Sequence, residues 1–373
     1  MSGEVAMVWG PSLLSYRLSE DHPLQPLRVQ LTVEEIERRG LDRGVERLLP
    51  RRATEEELAR AHAPAYVELV KALSDPRMRD PAAMVRGGQH GFGSDDNPIA
   101  DGMHDAAAEV CGASLVGAEA VHRGEARHVF QPAGGLHHAA RDRASGFCVY
   151  NDVAVAIAWL RTHGHRVACV DVDVHHGDGT QWLFYDDPGV LTVSLHESGR
   201  YLFPGTGFVD ETGVGEGRGT AANLPLSPYT WDEPWLAAFD ATVAPLLRAF
   251  KPTILVTQDG CDQHLLDPLA HLRCSTGIWP RAGRRFHELA HELCGGRWLA
   301  LGGGGYAIRE VVPRAWTLLF AEIVGRPELA ADLCDPETYP PEPVAQERIW
   351  GQLERDLGAL GQALSLPLAL GAG

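Results

Sequence analysis

The chain has 373 residues, 45% of them hydrophobic and 22% charged, the composition of an ordinary globular protein. A formal charge of −17 argues against direct nucleic-acid binding, which needs a basic patch, and is compatible with cationic substrates or peptides. No run of about 18 apolar residues offers a membrane helix, "MSGEVAMVWG" lacks the basic leader of a secretory signal, and seven scattered cysteines without a C-x-x-C pair fit reduced thiols in a cytoplasm.

Along the chain, Thr54 to Glu57 matches a helix capping box before "LARAH". Residues 75–103 are rich in Gly, Pro and Asp and read as a long surface loop. "RHVFQP" (127–132) reads as a buried strand. "NDVAVAIAWLRTHG" (151–164) reads as a helix capped by Asn151 and closed by Gly164. Further strands are expected at 166–172, 190–197, 253–260 and 297–303, each a near-continuous apolar run. Helices are expected at 231–250 and 279–296, and 198–230 reads as a second long loop. "CDPETYPPEPV" (334–344) interrupts the last helical region, and the tail, about 363–373, is a candidate for disorder.

Strand and helix alternate, which predicts a single α/β domain over 1–373. Its sheet is open and mainly parallel, with helices on both faces. Each of the five strands ends in polar or glycine-rich sequence: "AGGLHH", "DVHHGDG", "SLHE", "QDGCDQH" and "GGGGY". Ligands of open parallel sheets bind at the carboxyl ends of the strands. These ends are therefore expected to meet at one site.

"VDVDVHHGDG" (170–179) crowds acids and histidines onto a strand end. Strand alternation would put Asp171, Asp173 and His175 on one face. Carboxylates that close repel one another and lose solvation, so a cation is the natural complement. A divalent metal such as zinc, about 2.0–2.2 Å from its ligands, suits an acid and an imidazole on a rigid edge. The plainer alternative is a hydrogen-bonded polar strand end. Asp262, after Gly260, offers a third ligand, with Asp259 and His264 as competitors. "GGLHH" supplies His137 and His138, a pair suited to acid–base work if carboxylates fix their tautomers; Asp171 and Asp178 are the unassigned acids. "LGGGGY" admits a dinucleotide fingerprint (Gly302, Gly304, Ala307, with Glu322 further on), but no strand follows it to complete a βαβ unit. It also fits a glycine loop presenting the Tyr306 hydroxyl to an oxyanion, or a plain buried tyrosine.

Taken in order, "HPLQPLR", "GSDDNP", "PAGGLHHA", "GFCVYND", "VDVDVHHGDGTQ", "VSLHESGRYLFPGTG", "NLPL", "QDGCDQHLLDPL" and "LGGGGY" resemble the zinc-dependent histone deacetylase superfamily with its arginase-like α/β fold. "HESGRYLFPGTG" and "LLDPLAHL" resemble its bacterial acetoin-utilisation branch. The resemblance implies that Asp173, His175 and Asp262 bind Zn²⁺, with Fe²⁺ as the cellular alternative. It implies His138 as general base and then acid, His137 as electrostatic support, Asp171 and Asp178 as their orienting acids, and Tyr306 as oxyanion stabiliser. Gly146, Phe147 and Phe203 would wall a tunnel for an acetyl-lysine side chain, with Asp96 and Leu269 at the rim. A structural K⁺ site would map to Asp171, Asp173, His175, Ser194 and Leu195. The implied substrate is acetyl-lysine in a protein or peptide; rival readings are an acetylpolyamine or other small acetylated amine, a manganese ureohydrolase, and an inactive acyl-lysine binding module. Departures are Gln263 after the third ligand, the extra acid Asp259, and Asp95 beside Asp96. Leu269, standing where polyamine-specific relatives carry an acid, favours acyl-lysine.

Overall fold

The computed structural model describes residues 3–371, so the first two and last two residues lie outside it. Among the described residues eight strands form one sheet. In chain order they are β1 (Gly3–Val8), β2 (Glu46–Leu48), β3 (Ala126–Gln131), β4 (Val167–Asp171), β5 (Val190–Glu197), β6 (Ala221–Leu226), β7 (Ile254–Gln258) and β8 (Trp298–Leu301). Every pairing is parallel, in the spatial order β2-β1-β3-β8-β7-β4-β5-β6. All residues of β4, β5, β7 and β8 are buried, so both faces of the sheet are covered.

The five strands expected from sequence form the contiguous block β3-β8-β7-β4-β5. Three were not expected. β2 is a three-residue edge strand, too short for periodicity to show. β6, "AANLPL", carries an Asn and a Pro and lies inside the stretch read as a loop; Pro is tolerated there because the strand is at the edge of the sheet. The stretch 75–103 is likewise not all loop. Asp80 caps a helix, Pro81–Gln89, by accepting a hydrogen bond from the Ala83 amide at 2.7 Å; its glycines hid the helical pattern. The last helix is Pro343–Leu364, and beyond it Leu368 is buried.

Register brings the strand ends together. Asp171 at the end of β4 lies opposite Ser194 of β5 and Gln258 of β7. Leu301 of β8 lies opposite both Gln258 and Gln131, the last residue of β3. Each following loop therefore starts from the same edge.

The helix Asp152–Thr162 fixes one of those loops. Asn151 Oδ1 caps it by accepting from the Ala154 amide at 2.8 Å. The Asn151 side-chain Nδ2 donates to the carbonyls of His137 and Ala139, at 3.0 and 3.2 Å. Asp152 accepts from the amides of Gly135 and Leu136, at 3.1 and 2.7 Å. Asn151→Ala removes a cap worth about 1 kcal/mol and strips buried carbonyls of a donor at about 1–3 kcal/mol. A stability loss of about 2–4 kcal/mol in urea unfolding is expected; a loss below about 0.5 kcal/mol contradicts the role.

Candidate active site

Asp173 and His175 do not share a pleated face, because β4 ends at Asp171. Two successive turns place them instead. The Asp173 amide donates to Asp171 Oδ1 at 3.1 Å, and the His175 amide donates to Asp173 Oδ1 at 3.0 Å. Such Asp-to-backbone bonds two residues apart impose a turn without regular structure.

Asp262 enters from the loop after β7. His175 Nδ1 stands 3.2 Å from Asp173 Oδ1 and 3.1 Å from Asp262 Oδ2. One ligand atom from each of the three lies within 4.8 Å of the others, and all three are buried. Burial would depress the imidazole, but the two carboxylates outweigh it and raise His175 to about 10. Burial, then the neighbouring Asp173, raises Asp262 to about 6. The cluster thus demands positive charge. Two carboxylates and an imidazole nitrogen fit a divalent ion with one position open. The remaining lone pairs are also held: Asp173 Oδ2 accepts from Gln258 Nε2 and the Gly304 amide, each at 2.7 Å, and Asp262 Oδ1 from the Val174 amide at 2.9 Å. A Cβ on Gly260 would come within 2.0 Å of Asp173 Oδ2, and one on Gly304 within 2.0 Å of Asp262 Oδ2. Only glycine lets these two loops close on the carboxylates.

The competing ligands are engaged elsewhere. Asp259 accepts from the Thr257 hydroxyl at 2.7 Å, and burial holds its carboxyl well above the usual range. His264 Nε2 pairs with Asp335 at 2.8 Å, and its Nδ1 accepts from the Leu266 amide.

The histidine pair has one carboxylate each. His137 Nδ1 bonds Asp171 Oδ2 and His138 Nδ1 bonds Asp178 Oδ1, both at 2.7 Å. The Nδ1 protons so placed leave the Nε2 atoms facing each other at 3.0 Å. The two rings differ electrically. Burial opposes a charge on His137, yet Asp171 and Asp173 raise it to about 9. Burial and then the field of His137 lower His138 to about 4, against the pull of Asp178. The charged form is therefore favoured at His137 and the neutral form at His138.

A cavity of about 190 Å³ opens onto these groups, lined by His138, His175 and Tyr306 together with Asp96, Gly146, Phe147, Leu202, Phe203 and Leu269. Asp96 and not Asp95 lines it. The Phe147 and Tyr306 rings stand edge-on at 5.6 Å, and Phe203 meets His138 at 5.1 Å. Gly146 has φ +49, and a Cβ there would lie 2.3 Å from the His138 ring. Phe147 also takes a positive φ of 71, held by the Tyr16 hydroxyl donating to its carbonyl at 2.8 Å. A wider surface cleft of about 610 Å³, between residues 198–210 and the last helix, has no histidine in its lining.

Ser194 is in register with Asp171, and a void of about 10 Å³ lies between Asp171, His176 and Ser194. Leu195, fully buried, has only its carbonyl oxygen to offer an ion there. Two positioning residues carry no motif of their own. Asp267 accepts from the amides of Tyr306 and Leu269, at 2.7 and 3.0 Å. Arg28, buried over Trp316, donates to the carbonyls of Gly303 and Gly305 at 2.6 and 3.3 Å and so holds the glycine loop. Both lie within stretches matched by family resemblance, "QDGCDQHLLDPL" and "HPLQPLR". Glu322 pairs with Arg284 at 3.3 Å, and among the described residues no strand follows β8, so the dinucleotide reading of the glycine loop falls.

Fold, buried cluster and histidine pair make a candidate site able to hold a metal ion, and comparison with known proteins supplies the family. Residues 22–323 match the histone deacetylase domain, and the chain belongs to that family of deacetylases. It is similar to the acetoin utilization protein AcuC of Bacillus subtilis (strain 168), 42% identical over 319 residues that cover 85% of this chain and 81% of the relative. The AcuC proteins of Staphylococcus aureus (strain MRSA252) and Staphylococcus xylosus are 39% and 37% identical over 87% of this chain, covering 82% and 84% of their own lengths.

Gly304→Ala tests the close approach of the glycine loop. The added methyl must displace Asp262, so zinc affinity in equilibrium dialysis is expected to fall at least tenfold, about 1.4 kcal/mol, with unchanged circular dichroism. Undiminished affinity contradicts the geometry described.

Proposed function

We propose that the chain is a zinc-dependent deacetylase that hydrolyses the acetyl amide of acetyl-lysine in proteins or peptides. One observation carries the reading: a single narrow cavity presents His138, His175 and Tyr306 together behind apolar walls. Asp173, His175 and Asp262 would hold the metal, Zn²⁺ or, in the cell, Fe²⁺. When bound, it supplies Lewis acidity, polarising the acyl oxygen and making water a stronger acid.

The protein groups do the rest. Phe147, Phe203, Leu202 and Leu269 enclose an aliphatic stem and exclude water from the acyl end. Asp96 at the rim accepts a backbone N–H of the substrate. His138 Nε2 takes the proton of the attacking water, with Asp178 fixing its ring. As the C–N bond breaks, the histidine pair returns a proton to the departing amine, so charge never accumulates on nitrogen. Tyr306 donates to the oxyanion of the tetrahedral species. Burial, then Asp262 and Asp173, push its phenol well above the usual range, so the donor proton stays in place. Asp171, with Ser194 and the Leu195 carbonyl, together with Asp173 and His175, would hold a structural K⁺ beneath the site.

Asp96 is the one acid among the lining residues. An acetylpolyamine, with charge along its length, gains little from such walls, and this favours acyl-lysine over small acetylated amines. A binding module without activity has no need of Tyr306 and two carboxylate-paired histidines. Seven free cysteines, six of them buried, fit a reducing compartment such as the cytoplasm.

Two measurements test the reading. Turnover of an acetyl-lysine peptide is expected to vanish with a chelator and return with Zn²⁺; turnover that persists after metal removal contradicts it. Tyr306→Phe is expected to bind metal normally and to lose on the order of a hundredfold in kcat, as for an oxyanion donor. Full activity of that variant removes Tyr306 from the mechanism.

A further inference from the structure

A second group of metal-competent side chains stands at the other edge of the sheet: His128, His287 and His291. His128 lies near the start of β3 and is fully buried, opposite Trp298 of β8, whose ring it meets edge-on at 5.6 Å. His287 and His291 are one turn apart on the helix Ile278–Cys294, so both face the strand from one side of it. His287 is half-buried and His291 exposed.

The nitrogens converge. His128 Nε2 is 3.1 Å from His291 Nε2, and one nitrogen from each of the three lies within 4.8 Å of the others. His287 Nδ1–H donates to the Glu322 carbonyl at 3.1 Å, which fixes its tautomer and frees Nε2 as a ligand. His128 Nδ1 is buried with no hydrogen-bond partner among the described residues. The His128 and His291 Nε2 atoms can share only one proton between them, a contact that an ion held by both nitrogens and by His287 would replace.

We propose that His128, His287 and His291 form a second metal site, for a borderline divalent transition ion such as Zn²⁺, with its fourth position open to solvent. Two nitrogens about 2.0–2.1 Å from a tetrahedral ion stand about 3.3 Å apart, close to the separation of the two Nε2 atoms. A neutral three-nitrogen set suits Zn²⁺, Ni²⁺ or Cu²⁺ and not the oxygen-seeking Mg²⁺ or Ca²⁺. The nearby cation Arg127 opposes the ion, but Glu4 pairs with it at 3.5 Å. The role is structural. The ion ties a helix to β3, the strand that runs on into the His137–His138 loop.

Zinc content after equilibrium dialysis against Zn²⁺ tests the site. Wild type is expected to hold two equivalents, and Asp262→Ala one. The double variant His287→Ala, His291→Ala is also expected to hold one, with peptide turnover within twofold of wild type; adding both changes to Asp262→Ala is expected to abolish the thermal stabilisation that zinc gives Asp262→Ala alone. Equal zinc content in the double variant and wild type overturns the proposal. So does a single equivalent in wild type that Asp262→Ala abolishes, which leaves the deacetylase reading intact. Two equivalents retained by Asp262→Ala and one by the double variant would support the second site while overturning the assignment of the first.

Discussion

The buried carboxylates at the carboxyl edge of the sheet set the terms for the rest of the site. Asp171, Asp173 and Asp262 lie at 4% exposure or less. Unpaired charges at such depth cost several kcal/mol each, so the fold must surround them with donors and a cation. Backbone amides, Gln258, two histidines and a glycine loop meet that demand from four separate chain segments. The parallel register makes the meeting possible, because strands distant in sequence end at the same level.

This demand also creates the chemical asymmetry of the histidine pair. His137 sits in the field of the acids and favours the charged form. His138, one residue on, is shielded by burial and repelled by its neighbour, and favours the neutral form. Two adjacent identical side chains thus acquire opposite tendencies from their surroundings alone. Their carboxylate partners, seven residues apart at the end of β4 and the start of the next helix, fix both rings at 2.7 Å. The cavity that reaches His138 has aromatic walls, one of them a positive-φ phenylalanine anchored by Tyr16.

Much of this was legible in the sequence because its signals are dense and local. Five apolar runs ending in polar clusters marked the central strands, and Asn151 announced its helix by its own capping chemistry. The edge strands escaped, since β2 is short and β6 carries Asn and Pro. The helix Pro81–Gln89 was hidden by glycines. Strand periodicity misplaced Asp173 and His175; side-chain-to-amide turns, which leave no period, position them. The roles of Asp267 and Arg28 lie in contacts with segments far along the chain, 39 and 275 residues away, which no local pattern reveals. The residues alone left Asp259 and His264 beside Asp262; family resemblance singled out Asp262, which the structure brings together with Asp173 and His175.

The central claim is that one cation sits among Asp173, His175 and Asp262 and that the rest of the site is built around it. Anomalous diffraction at the zinc edge from crystals of active, zinc-replete protein tests it most directly. The account predicts a peak bonded to all three side chains at about 2.0–2.2 Å. An active crystal with no peak there, or with its active-site metal bonded to Asp259 or His264, would contradict it.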